Sequence, residues 1–143
     1  MKIILYIGGA IALLILVITV VGYLLPKEHL AKRTAKFRKQ PAEVYALISG
    51  PQDWRPGSKD DPPTVMVESV APQRHVTRIS DPSLPFGGTW TWELDPTTDG
   101  CEVRLTENGF VSNPIFRFIS HFFIGHHSSM DTYLKHLSSK LGA

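Results

Sequence analysis

The hydrophobic pattern along the chain changes period twice. Residues 3–25 are an apolar run with no charged side chain, which as a helix at about 1.5 Å per residue spans roughly 35 Å, enough to cross a bilayer. Residues 34–38 then alternate, Ala35 and Phe37 against Lys36 and Arg38, the period-2 pattern of a half-buried strand. Four more short runs, 65–70, 75–80, 89–94 and 102–107, are each bounded by Pro, Gly or Asp turn residues and predict further strands. Their connections leave no room for crossover helices, so an antiparallel meander is expected. Trp90, Trp92 and Leu94 share one face of their strand, and Val103 and Leu105 share one face of theirs.

Over residues 113–141 the period becomes helical. Ile115, Phe116, Phe118, Ile119, Phe122, Phe123, Met130, Tyr133, Leu134, Leu137 and Leu141 fall within an arc of roughly 160° at 100° per residue. One long helix covering the sheet is expected, with Arg117, Ser120, His121, Ser128, Thr132, Lys135 and Ser139 on its solvated side. Asn113 and Pro114 suit its start and Gly142 its end, while Gly125 is the point where it can bend or break. A shorter helix opens at Pro41 and stops at Gly50 and Pro51; residues 52–64, with Trp54 as their one large apolar side chain, form a loop.

These elements divide the chain into an N-terminal transmembrane helix over residues 1–25, a linker over 26–32 and an α+β domain over 33–143. A cleaved signal peptide would have a shorter apolar core, about 7–15 residues, followed by a small-residue cleavage site. Here the run ends in Tyr23, Leu24, Leu25 and Pro26, so a retained single-pass anchor is expected. Lys27, Lys32, Arg33, Lys36, Arg38 and Lys39 follow the span closely and favour a cytoplasmic domain. Several of those charges alternate along a strand, and a two-residue tail before the span equally fits an exported anchor. The side of the membrane stays open.

Charge and cysteine usage narrow the function classes. The net charge of +2 comes without a basic stripe interleaved with aromatics, which disfavours nucleic acid as a partner. The lipid bilayer is the partner that the sequence implies. Cys101 is the only cysteine and forms no internal disulfide, so a disulfide-stapled scaffold is excluded.

The strand leading into QPAEVYALIS, the Trp54-Arg55-Pro56 triplet, the run VTRISDPSLPFGGTWTWEL and the closing NPIFRFISHFFIGHHSSMDTYLKHL together resemble the START-like (SRPBCC) superfamily, specifically polyketide cyclase/dehydrase-like bacterial proteins in a membrane-anchored form. The resemblance implies a helix-grip fold, an antiparallel sheet curled around a long C-terminal helix, with a cavity between them that commonly holds an apolar small molecule or lipid. It places the anchor in a bacterial inner membrane. Relatives usually carry further strands between the first helix region and the segment matching 65–70, and this chain is about two strands short there. A sheet shortened in this way leaves the cavity partly open or collapsed, so that either a ligand enters through the gap or another protein covers it at the unpaired strand edge.

Pocket-lining candidates are Trp90, Trp92, Phe118, Phe122, His126, Met130 and Tyr133. His126 is the distinctive one: a lone histidine on an apolar face is ordinarily a core residue with one satisfied hydrogen bond, and alternatively the polar group that orients a ligand in an apolar cavity. His127 and Asp131 are spaced i, i+4, but His121 and His126 point to opposite sides of one helix, so no converging metal set is expected. Asp60 and Asp61 lie in a Pro-rich loop, Gly87 and Gly88 precede a strand instead of a helix, and Cys101 has no activating neighbour in sequence. No catalytic residue and no cofactor is assigned. The leading expectation is membrane-tethered binding of an apolar small molecule or lipid. A non-catalytic accessory subunit of a membrane protein complex is second, and an enzyme third, because no acid–base pair stands out.

Overall fold

The computed structural model describes residues 1–142. Helix α1 (Lys2–Leu24) is followed by β1 (Glu28–Phe37), α2 (Pro41–Ser49), a 3-10 turn (Ser58–Asp60), β2 (Thr64–Val70), β3 (Arg74–Ile79), β4 (Phe86–Thr97), β5 (Gly100–Val111), α3 (Pro114–Ile119), a π-helical turn (Ser120–Ile124) and α4 (Ser128–Leu141). Helix α1 is long and apolar enough to cross a membrane, a property shared with signal sequences. Strand β1 starts inside the stretch read as a linker, so only three residues separate it from α1.

The five strands form one antiparallel sheet in the order β1-β5-β4-β3-β2. Strands β2 to β5 are the expected meander, and β1 returns to pair with β5. Parity works as the sequence suggested. Leu94 lies opposite Val103 and Trp92 opposite Leu105, and all four are buried together with Phe37, Val44, Ile48, Met130 and Leu137. On β1 the same inward parity brings Ala31 and Phe37 into the core. Strand β2 is an edge whose residues are all exposed.

The C-terminal segment departs from a single helix. Asn113 caps α3 through its side chain, which accepts from the amides of Ile115 (2.9 Å) and Phe116 (3.0 Å). The helix then widens into the π turn, closed by the Gly125 amide donating to Ser120 (2.7 Å). Gly125 has φ +79°, a conformation open to glycine and disfavoured for other residues, and there the chain turns before α4. The break re-aims the two halves. Met130, Tyr133 and Leu137 on α4 face the sheet as expected, whereas Phe122 and Phe123 are exposed.

Arg117 and Ser120 are buried, which corrects their placement on the solvated side. The reason lies far away in sequence. Helix α1 packs on α3 through its last turns, where Gly22 is buried and any Cβ at that position would overlap the carbonyl of Pro114. Arg117 fills the junction. Its Nε donates to the Val111 carbonyl (2.9 Å), Nη1 to those of Gly22 (2.9 Å) and Leu25 (3.2 Å), and Nη2 to that of Ser112 (3.2 Å). A cation thus meets orphan carbonyls at the negative end of α1.

Candidate functional site

A chain of polar and aromatic groups runs from the core to the surface where β1, β4 and β5 meet the break between the π turn and α4. It starts at Glu107, which shares the inward face of β5 with Val103 and Leu105 and lies opposite Trp90. One carboxylate oxygen of Glu107 accepts from the Trp90 indole N–H, and the other is 2.7 Å from His29 Nε2. His29 on β1 lies opposite Gly109, and its ring occupies the space that a side chain there would need. Glycine at 109 therefore lets His29 reach diagonally across to Glu107. His29 in turn stacks on His126, with ring centroids 3.9 Å apart and planes 13° from parallel. His121 lies 6.3 Å from His126 and edge-on to Phe122 at 4.8 Å, and Phe122 contacts Phe118 at the same distance.

The electrostatics favour a neutral His126. Burial pushes its pKa down, and His29, His121 and His127 push the same way against the opposing pull of Glu107. The side chains of His29 and Glu107 remain 15% and 18% exposed, so the cluster is a sheltered polar notch open at one side. Chemically it offers a carboxylate-oriented imidazole and a second, neutral imidazole within stacking distance, which can accept or donate hydrogen bonds to the polar end of a ligand. Among the described residues, no group of three or more His, Cys, Asp or Glu side chains could hold a metal ion.

The predicted lining residues separate into two groups joined by this notch. Trp92, Met130 and Tyr133 are core residues. Tyr133 is the hub: its ring contacts Trp54, Trp90 and Trp92 at centroid distances of 5.8, 5.6 and 5.0 Å, and Arg55 lies over it at 4.6 Å. Its hydroxyl donates to Gln52 (2.6 Å), and burial pushes its pKa up to about 12. The loop that carries Gln52, Trp54 and Arg55 is thereby folded onto α4, and these rings fill the space where the resemblance implies a cavity. Phe118 and Phe122 stand outside it, on the far side of His126. Trp90 connects the groups, touching Tyr133 with its ring and Glu107 with its N–H.

Other candidates resolve into structural roles. Asp131 pairs with Arg33 (2.7 Å), which holds its carboxyl below the usual range and ties α4 to β1. Cys101 is fully buried, and burial raises its thiol pKa. Two surface depressions lie away from the notch, one of about 550 Å³ beside Lys36, Arg38, Lys39 and Leu141, the other of about 280 Å³ beside Pro85, Ile115, Phe116 and Ile119. Reading the sequence alone missed His29 and Glu107. The available signal was parity: Glu107 continues the alternation of Val103 and Leu105, and His29 continues that of Ala31.

Solved bacterial structures share this architecture. A protein from Mesorhizobium loti superposes with a TM-score of 0.61 at 12% identity, over 80% of this chain and 97% of its own. One from Chromobacterium violaceum gives 0.56 at 15%, over 83% and 99%. An AHSA1-like protein from Rhizobium etli gives 0.54 at 19%, over 78% and 81%. What they share with this chain is an α+β fold of the helix-grip kind, an antiparallel sheet packed against helices. At these identities the likeness concerns the fold alone. No protein-family description matches the chain, and no curated protein matches it.

Proposed function

We propose that the protein is a membrane-tethered binding module for an apolar small molecule or lipid with one polar end. The observation that carries this reading is the continuity of the His29-Glu107-His126 notch with the Phe118 and Phe122 rings, beside an apolar N-terminal helix that serves as the anchor. The polar end of the ligand hydrogen-bonds the imidazoles, and its apolar part lies along the phenyl rings. A few convergent polar groups in an apolar surround is the usual composition of such a site. The bilayer supplies the ligand. Because aromatic side chains fill the space beneath α4, binding occurs at the opening and not deep under the helix. Native mass spectrometry of the full chain in mild detergent, with displacement of a fluorescent fatty acid, tests this: bound small molecules and a probe affinity at least tenfold weaker in Glu107→Gln are expected. Reproducible absence of both bound molecules and probe binding refutes it.

A second reading, an accessory subunit of a membrane complex, is favoured by one feature. Val65, Met66, Val67 and Val70 are exposed on the edge strand β2, and a bare strand edge of this kind accepts an added strand from a partner. It also lies where the family resemblance implies further strands. Cross-linking through Met66→Cys in native membranes separates the readings, since a specific adduct is expected only for the subunit.

A further inference from the structure

We infer that Pro114–Ile124 is a second membrane element, a short apolar wedge that enters the leaflet from which α1 emerges and lies against the end of that helix. This rests on the reading of α1 as a membrane span. Three observations lead to it. The first is exposed apolar surface next to the span: Phe122, Phe123 and Ile124 are 56%, 77% and 51% exposed, in the turn that follows α3, and α3 packs directly against the exposed, largely apolar α1. The second is depth. Ile18, Thr19, Val21, Gly22 and Leu25 are the residues of the α1 segment that are partly or fully buried, and Gly22 meets Pro114, so the wedge sits beside the final two turns of the span.

The third is polar satisfaction. Backbone and charged groups enter hydrocarbon only when paired within the protein. Between residues 113 and 125 the ionisable side chains are Arg117 and His121; Arg117 donates to four carbonyls at the junction, and His121 is exposed on the side of the wedge that faces His126 and the polar notch. The amides of Ile115 and Phe116 are capped by Asn113, the π turn is closed by its own bond to Gly125, and Ser120 is buried. His126, His127 and Ser128 follow the wedge and Ser112 and Asn113 precede it, so both ends are polar where the chain would leave the bilayer. A protein partner would also cover aromatic side chains. The bilayer is preferred because the turn that carries these side chains follows directly on α3, and α3 packs against the exposed apolar helix α1.

The test uses the full chain in phospholipid nanodiscs with an environment-sensitive fluorophore on Phe123→Cys or, separately, Ile124→Cys. Ile15→Cys serves as the reference inside the span and Met66→Cys as the reference in water. The unsubstituted chain serves as the blank, since Cys101 is fully buried. Quenching by lipid-borne nitroxides at 123 and 124 comparable to that at 15, with iodide quenching at least threefold below that at 66, is the expected result. Iodide quenching at 123 and 124 equal to that at 66, with 15 still in lipid, overturns the wedge and leaves the anchor standing. Exposure of position 15 to iodide overturns the anchor and the wedge together. Protection of 123 and 124 from both quenchers means that protein covers them, which also overturns the wedge.

Discussion

Replacing Arg117 with methionine removes a buried guanidinium while keeping much of its apolar volume, and it tests the junction on which the functional reading depends. Four carbonyls lose their donor: Val111 and Gly22 at 2.9 Å, Leu25 and Ser112 at 3.2 Å. Hydrogen bonds to a charged donor contribute about 1.5–3 kcal/mol each, but the two longer ones are weak and the desolvation cost of the guanidinium is relieved. Counting the two short bonds alone, and offsetting part of them by that relief, leaves a loss of about 3 kcal/mol. For a domain of roughly 100 residues this lowers Tm by about 12–24 °C. Thermal unfolding followed by the fluorescence of Trp54, Trp90 and Trp92 in nanodiscs measures it. Arg117→Lys keeps the charge but not the fork of donors, so about half the loss is expected.

Hydrogen exchange sharpens the same test, because a general loss of stability and a loosened junction affect different amides. If Arg117 fastens α1 to α3, exchange in Arg117→Met accelerates at residues 18–25 and 114–119 well before it does in β4 and β5. A Tm within about 3 °C of the parent, a change below about 1 kcal/mol, would refute the assignment of those carbonyls to Arg117.

Three other outcomes follow from the same geometry. Gly22→Val drives a side chain into the Pro114 backbone and is expected to accelerate exchange at the α1–α3 junction, as Arg117→Met does, while α4 keeps its protection; Gly8→Val, at a position with open space, is the control. Burial lowers the pKa values of both His75 and His126, so the unfolded chain takes up protons first as pH falls below about 6.5. The folded state therefore loses stability below that value and keeps it above; urea midpoints at pH 7.5 and 5.5 should fall in that order, with a smaller difference in His126→Gln. Tyr133→Phe deletes the 2.6 Å bond to Gln52 and should cost about 1 kcal/mol, with protease nicking of the loop at 52–64 as the local readout.

What the sequence made legible follows from how far apart the deciding residues are. Strand faces depend on neighbours two positions away, so the inward rows of β4 and β5 could be read from Trp92, Leu94, Val103 and Leu105, and the structure pairs them in that register. The same parity carried on to Glu107, but a carboxylate at the end of an apolar row reads as the strand leaving the core. Its partners, His29 and Trp90, come from strands on either side and are distant in sequence. Gly125 was visible as a weak point, yet a glycine in a helical pattern does not reveal whether the helix bends or stops. That was decided by α1 and Arg117.

The guanidinium joins residues 22 and 117 across 95 positions, and the helical period that assigned Arg117 to solvent assumed that one axis ran to Leu141. Once α1 occupies that face, the face becomes interior, the amphipathic pattern inverts for a turn and a half, and Phe122 and Phe123 emerge on the outside. An apolar arc is therefore evidence of burial only after the number of apolar partners is known. This chain offers the sheet as one partner and α1, with whatever surrounds it, as another. The π turn and Gly125 let one stretch of sequence serve both, α4 against the sheet and α3 against the N-terminal helix. The His29-Glu107-His126 notch lies at the seam between them because polar side chains are tolerated where two apolar surfaces diverge and solvent or a ligand can reach.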